Sequence, residues 1–513
     1  MTEAEAQNLI AENEALREKV RLLEQKIDAL VRKIYGAKSE KLDPGQLELL
    51  MGKEPPEEPG LGKDEAPIAP SPESGGGDEA GAGRRERRSR RVRLPEDLPI
   101  IEEVIEPEPV KGCREAWRRI GEEVSELLDY EPARFIRRMI IRPKYVRVAD
   151  KEAAPIIAKL PAKVIDGGLP APGLLAHVIV SKYAYHLPLF RQETIYREGH
   201  KVELPRQALS RWVEEGAQWF APIWRGMKDD LMGGGYLQVD ETPVRYLEPG
   251  RGKAPQGYLW CYSRPGEDVV FDWRTGRGHE CLIEMLGEDA SAAPSFEGVI
   301  QCDGYGAYRT YAGKNARVVL AGCWAHVRRK FYEAREEAPE FCGRALKAIG
   351  ELYLVERELR DARAGPGQRG EARTAHSRTI IENLHQLLTK HRSRHLPKGG
   401  VGKAIHYALG QWPNLMRYVE DGRIEIDNNW CENAIRPTAV GKKNWLFIGS
   451  EGAGWKSAVL FSITESCRRR GIDPFVYLKD ILSRAPSMKE QEIRQLTPAA
   501  WAAEQDTIQQ AAS

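Results

Sequence analysis

Leu9, Leu16, Leu23 and Leu30 recur every seven residues, and Asn13, Val20, Ile27 and Ile34 recur at the same interval on the adjoining position. Leucine at one seam position and mostly β-branched residues at the other favour two parallel strands. Asn13 on the seam would fix register and strand number. Glu12 with Arg17, and Lys19 with Glu24, stand where charges pair between chains. Residues 1–42 are therefore predicted to be a coiled-coil dimerisation helix. The apolar period then stops. Residues 43–100 are rich in Pro, Gly, Glu and Ala, too poor in hydrophobic residues to fold, and predict a disordered linker. A basic run from Arg84 to Arg93 lies near its end and suits phosphate contacts that carry no sequence choice.

From 101 to 225 the pattern changes twice. Ile136, Met139, Ile140 and Ile141 interleave with Arg134, Arg137, Arg138 and Arg142, predicting a strand with one cationic face. His186–Tyr196 reads as a helix, Gly199 as a turn, and Leu204–Val213 as a second helix with Pro205 in its first turn. That is a helix-turn-helix pattern, and it makes Arg206, Gln207, Ser210 and Arg211 candidate DNA contacts.

Between 226 and 480 three β-rich runs succeed one another: Tyr236–Glu241, Tyr258–Tyr262 and Val269–Trp273. A helix is predicted over Glu280–Leu286, a fourth strand from Gly298 running to Asp303, and a fifth over Arg317–Leu320. Amphipathic helical segments fill 322–420, with a Gly/Pro break near Ala364–Gly370. Three strands, helix, strand, helix, strand is the element order of a ribonuclease-H-like α/β core with a mixed five-stranded sheet. In such a core, acids at the ends of the first and fourth strands lie side by side. Asp240 and Asp303 hold those positions. Downstream, Asp427 is a good N-cap and Pro437 a stop, predicting a short helix between them. On it Asn429, Glu432 and Arg436 share one stripe, while Trp430, Ala434 and Ile435 can face a core. Trp445–Gly449 reads as core, and the polar, Gln/Ala-rich residues 481–513 as a loose tail.

Asp240, Asp303 and Glu432 thus form a candidate catalytic triad. Three carboxylates are hard oxygen ligands suited to two Mg²⁺ or Mn²⁺ ions and to in-line phosphoryl transfer. Arg436, Lys442 and Lys443 could hold the phosphate backbone. Net charge adds nothing, because 77 Lys+Arg balance 76 Asp+Glu to a formal +1. The eight cysteines are scattered singly with no Cys-x-x-Cys pair, which argues against a disulfide framework and fits a reducing cytoplasm. No apolar run reaches the roughly 20 residues of a membrane span, and the acidic, polar start is unlike a signal peptide.

From about Lys33 to Leu482 the chain resembles transposases of the insertion-sequence-66 family, of the bacterial DDE class. The resemblance rests on Tyr35–Lys41, Gly121–Glu126, Arg142-Pro143-Lys144-Tyr145, Val239-Asp240-Glu241-Thr242 and Cys302-Asp303-Gly304-Tyr305. It continues in His326–Phe331, Asn429–Pro437, Gly441–Gly449 and Gly471–Leu482. It implies a catalytic domain carrying Asp240, Asp303 and Glu432, cleavage and strand joining at element ends, and at least a homodimer. Companion proteins of the same element and a nucleoid-associated cytoplasmic location are also implied by it. A non-catalytic DNA-binding accessory protein and a nuclease that cuts without joining are the competing readings. Cys323 and His326 resemble a Cys-x-x-His signature found after the fifth strand in several transposases. One departure stands out. The family's small zinc module, built on paired cysteines, is reduced here to Cys113, with Ala116 at the expected second position. Four ligands cannot be assembled, so no zinc is expected.

Overall fold

The computed structural model describes residues 98–131, 134–148, 154–288 and 295–512, together with Val20. The chain divides into two units, Met1–Arg91 and Val92–Ser513, and both sheets and the helices from Glu108 onward lie in the second. The heptad helix, the linker and its basic run lie outside the described residues.

Around the cationic strand and the remnant of the zinc module that the resemblance implies, alternating Glu and Arg residues build a small sheet. Its strands are β1 (Ile100–Val104), β2 (Trp117–Glu131), β3 (Arg134–Arg147) and β4 (Ile156–Ile157). The order is β1-β3-β2, with β4 also on β3, and β2 and β3 run antiparallel. The cationic strand is β3, but acids of β2 take up its charge. Arg142 meets Glu123 at 2.7 Å, Arg138 meets Asp129 at 3.0 Å and Arg137 meets Glu126 at 2.5 Å. Opposite charges facing across a pair stabilise it, so β3 is a paired strand rather than a free cationic face. Cys113 is an exposed free thiol.

Helices α1 (Pro172–Tyr183), α2 (Leu189–His200) and α3 (Arg206–Met232) come next. The helix-turn-helix spacing finds α2 and the start of α3, but α3 does not stop at Val213. Leu209, Trp212, Val213, Gly216, Ala217, Phe220, Ile223 and Met227 keep one buried face through 27 residues, past Pro222. That burial overrides the proline's helix-breaking preference.

The second sheet carries the candidate chemistry. It comprises β5 (Tyr236–Tyr246), β6 (Gln256–Ser263), β7 (Val269–Arg274), β8 (Gly298–Gln301) and β9 (Val318–Ala321). Helix α4 (His279–Leu286) precedes β8, and α5 (Gly306–Lys314) joins β8 to β9. The order is β7-β6-β5-β8-β9, antiparallel among the first three and parallel from β5 to β9. Six helices succeed β9: α6 (Trp324–Glu333), α7 (Pro339–Asp361), α8 (Pro366–Ala372), α9 (Arg378–His391), α10 (Gly400–Gly410) and α11 (Trp412–Glu420). They bury a core of their own, in which Phe331, Ile349, Leu384, Ile405 and Tyr418 meet.

The chain then returns to the sheet in α12 (Asn429–Trp445). Pro437 does not end this helix. Cys431, Ala434, Ile435, Thr438 and Gly441 bury one face of it, and that packing carries the helix through the proline. Trp430 faces outward instead of joining the core: it is 43% exposed, with the Arg469 guanidinium 5.5 Å above its ring. Beyond α12, Leu446 (φ 63°) and Phe447 are exposed, so only Ile448 of the expected core stretch is buried. A short β10 (Phe447–Ile448) pairs with Arg245 and Tyr246 and makes this a six-stranded sheet, where five are expected.

Helix α13 (Gly454–Arg469) runs along β7, where Ser466 and Ser462 accept the N–H groups of Val269 and Phe271. Then come α14 (Pro474–Arg484) and α15 (Pro498–Ala512). The loose tail is thus corrected to a packed helix. Trp501 is 8% exposed, lies edge-on to Tyr477 and donates to Asp480 at 2.8 Å. A single aromatic anchor in a polar stretch gives little periodicity to read. Trp501→Phe keeps the packing and loses one hydrogen bond, so it is expected to cost about 1 kcal/mol. A urea titration would show a lower midpoint at unchanged slope, and an unshifted midpoint would mean that α15 is not docked.

Candidate active site

Gln238 on β5 lies opposite Gln301 on the parallel β8. Two residues further along each chain, Asp240 and Asp303 emerge at the same level. Gly304 then reverses the backbone with φ +82°, a conformation that favours glycine. A Cβ there would lie 2.6 Å from the Gln411 side chain. Asp303 accepts the Tyr305 N–H at 2.8 Å, and its carbonyl accepts the Tyr407 hydroxyl of α10 at 2.5 Å.

A buried polar network holds the start of α12 against these strands. Gln238 donates to Gln301 at 3.0 Å and to the Asp427 carbonyl at 2.8 Å, and accepts the Cys431 N–H at 3.2 Å. Gln301 donates to the carbonyls of Gly322 and Glu425. Asp427 caps from one residue further out than expected, accepting the Asn429 N–H at 3.1 Å. Glu432 lies in the first turn of α12.

Electrostatics tie the three acids together. Burial pushes the Asp240 carboxyl up to about 8, and the charges of Glu241, Asp303 and Glu432 add to the effect. Burial also raises Glu241, although Tyr308 donates to it and Arg277 pairs with it, each at 2.5 Å. Arg277 in turn lies 4.0 Å over the Tyr305 ring. One Glu432 oxygen lies 3.6 Å from Arg329, and the other lies 3.7 Å from His326 Nδ1 without a hydrogen-bond partner among the described residues. Half-buried carboxylates whose charges raise Asp240, with a spare oxygen on Glu432, suit a hard divalent cation, which would relieve the repulsion on Asp240.

The other predicted residues fall in different places. Arg436 and Lys443 are exposed on one face of α12 with Asn429, Asn433 and Val440, in line with Glu432. Lys442 turns back onto β5, reaching Thr242 Oγ1 at 3.3 Å and the Pro243 carbonyl at 3.1 Å. Arg206, Gln207, Ser210 and Arg211 are exposed on the first two turns of α3. Arg206 and Ser210 line a cavity of about 370 Å³ with Phe190, Trp445, Phe447 and Lys456. Sequence reasoning misses Gln238, Gln301, Arg277 and Tyr308, and gives Arg329 no role. Arg329 is in view within His326–Phe331, but Arg277, in a Gly-Arg-Gly loop, gives no signal.

Comparison with known proteins identifies the family. The family described as "Transposase IS66 family" matches residues 167–456, "IS66 C-terminal element" matches 462–499, and "Transposase C of IS166 homeodomain" matches 22–102. The uncharacterized protein y4qI of Sinorhizobium fredii is 36% identical over 447 residues, covering 83% of this chain and 80% of the relative. Two further uncharacterized proteins of that organism are similar. With y4jD the identity is 32%, over 94% of this chain and 95% of the relative. With y4hP it is 28%, over 93% and 88%. The match over more than half its length, together with these relatives, shows that the chain belongs to the IS66 transposase family.

Proposed function

We propose that this chain is a DNA transposase with a ribonuclease-H-like core, cutting and joining strands at element ends through Asp240, Asp303 and Glu432. The observation that supports the reading is that β5, β8 and the start of α12 pack together and bring the charges of Asp303 and Glu432 to bear on Asp240. Asp240, Asp303 and Glu432 would supply the oxygen ligands of a Mg²⁺ or Mn²⁺ pair. When bound, such ions favour deprotonation of the attacking water or 3′-hydroxyl and offset charge on the leaving oxygen. Arg329 steadies one oxygen of Glu432. Arg277 neutralises Glu241, so that the fourth acid does not add a full charge beside Asp240. The α12 face from Asn429 to Lys443 tracks the DNA backbone, and the first turns of α3 contact the DNA of the element end. The heptads at 1–42 pair two chains, which synapsis of two ends requires.

The test is cleavage of labelled element-end DNA by the full chain with Mg²⁺ or Mn²⁺. Strand-transfer products separate a transposase from a nuclease that only cuts. Arg436→Ala and Lys443→Ala should each weaken DNA binding across sequences and reduce the slope of log K against log salt by about 1. A slope unchanged in both would remove α12 from the backbone path. Among the described residues, no helix is long and apolar enough to cross a membrane.

A further inference from the structure

We propose that Cys323, His326 and one oxygen of Glu432 form a second cation site, for a borderline transition ion such as Zn²⁺ or Co²⁺. Cys323 immediately precedes α6 and His326 lies one turn on, so both side chains face the same way. Their ligand atoms and a Glu432 carboxylate oxygen all lie within 4.8 Å of one another. A tetrahedral site needs ligand atoms about 3.5 Å apart, which small side-chain rotations supply. Cys323 is 1% exposed, and His326 Nδ1 and Glu432 Oε1 are buried atoms with no hydrogen-bond partner among the described residues. Arg329 approaches the other oxygen, Oε2, which leaves Oε1 to the ion.

The donor set decides the class of ion. One sulfur, one imidazole nitrogen and one carboxylate oxygen suit a four-coordinate borderline ion, with water as fourth ligand. Mg²⁺ takes oxygen and rejects the thiolate. Burial disfavours a free thiolate at Cys323, so the ion itself displaces the thiol proton, which leaves to solvent as the ion binds. The charges of one thiolate and one carboxylate then balance a dication. This is an open three-ligand site, distinct from the four-cysteine module that Cys113 cannot complete. Its use of Glu432 gives it a consequence under the proposed function: an ion seated here draws a carboxylate away from the magnesium pair, so Zn²⁺ should inhibit cleavage at concentrations far below those of Mg²⁺.

The test is optical titration of the metal-free full chain with Co²⁺, without DNA, so it reads out whether or not the chain cuts. Wild type is expected to show thiolate-to-cobalt charge transfer and tetrahedral bands saturating at one ion per chain. Cys323→Ser should lose the charge-transfer band, and His326→Gln and Glu432→Gln should each weaken binding about 10-fold or more. No band in wild type, or a band unchanged in Cys323→Ser, overturns the site. Should Cys323→Ser fail to fold, unchanged affinity in His326→Gln overturns it equally.

Discussion

Asp303→Asn and Glu432→Gln are each expected to lower divalent-metal-dependent nicking of element-end DNA by about a thousand-fold, while DNA affinity changes only a few-fold. The size comes from the several kcal/mol that a correctly held ion contributes to an in-line displacement. Both substitutions are nearly isosteric, and each removes a negative charge from a cluster whose members repel one another. Neither should therefore unfold the protein, and relief of the repulsion should leave thermal stability unchanged or slightly raised. Single-turnover cleavage with Mg²⁺ and with Mn²⁺, beside a binding isotherm, measures the two effects separately. Variants that cut like wild type would sink the triad. A wild type that binds element ends and never cuts would favour the accessory-protein reading.

Much of this arrangement is legible in the sequence because its signals are local. A β-rich run carrying an acid can be recognised without its partners, and that points to Asp240 and Asp303. The first strand does not end at Glu241 as expected, however: β5 runs on through Asp240 to Tyr246, paired with β6 and β10. Glu432 needs the capped helix and the family resemblance together. What cannot be read depends on distant pairing. Gln238 and Gln301 look like misplaced polar residues in apolar strands until the fold brings the Asp427 carbonyl and the Cys431 N–H to them. Arg277 sits in an unremarkable loop and reaches the site through Glu241, 36 residues away, and the Tyr305 ring. The β2–β3 hairpin misleads for a different reason. Its cationic strand looks free when taken alone, whereas Glu123, Glu126 and Asp129 of the antiparallel neighbour pair with it. Pro437 and Pro222 look like local breakers, but each lies in a helix whose buried face outweighs a proline.

Arg373→Ala is expected to cost about 3–5 kcal/mol and to impair cleavage by loosening the approach to Glu432. Arg373 and Glu356 are both wholly buried, joined by hydrogen bonds of 2.7 and 2.9 Å. Breaking such a pair by removing one member leaves a charge in a low-dielectric interior, which sets the magnitude. Arg369, 3.2 Å from Glu356, compensates only in part. The arginine does more than pair. Its Nη1 donates to the carbonyls of Tyr418, Asp421 and Ile424, and so fastens the end of α11 and the segment that leads into α12. Arg369 binds Glu425 in the same segment at 2.8 Å, and the Glu425 N–H donates to the Tyr236 hydroxyl on β5. Helices α6–α11 are thus tied to the backbone that sets Glu432 against the sheet. Glu356→Leu combined with Arg373→Met removes both charges and should recover most of the lost stability. It leaves the three carbonyls without their donor, so cleavage should recover less than stability does. Urea midpoints for the single and double variants, with cleavage measured well below each transition, test both parts. A single variant within about 0.5 kcal/mol of wild type would mean that the pair does not hold the segment, and cleavage that recovers fully in the double variant would mean that the carbonyl contacts do not position Glu432.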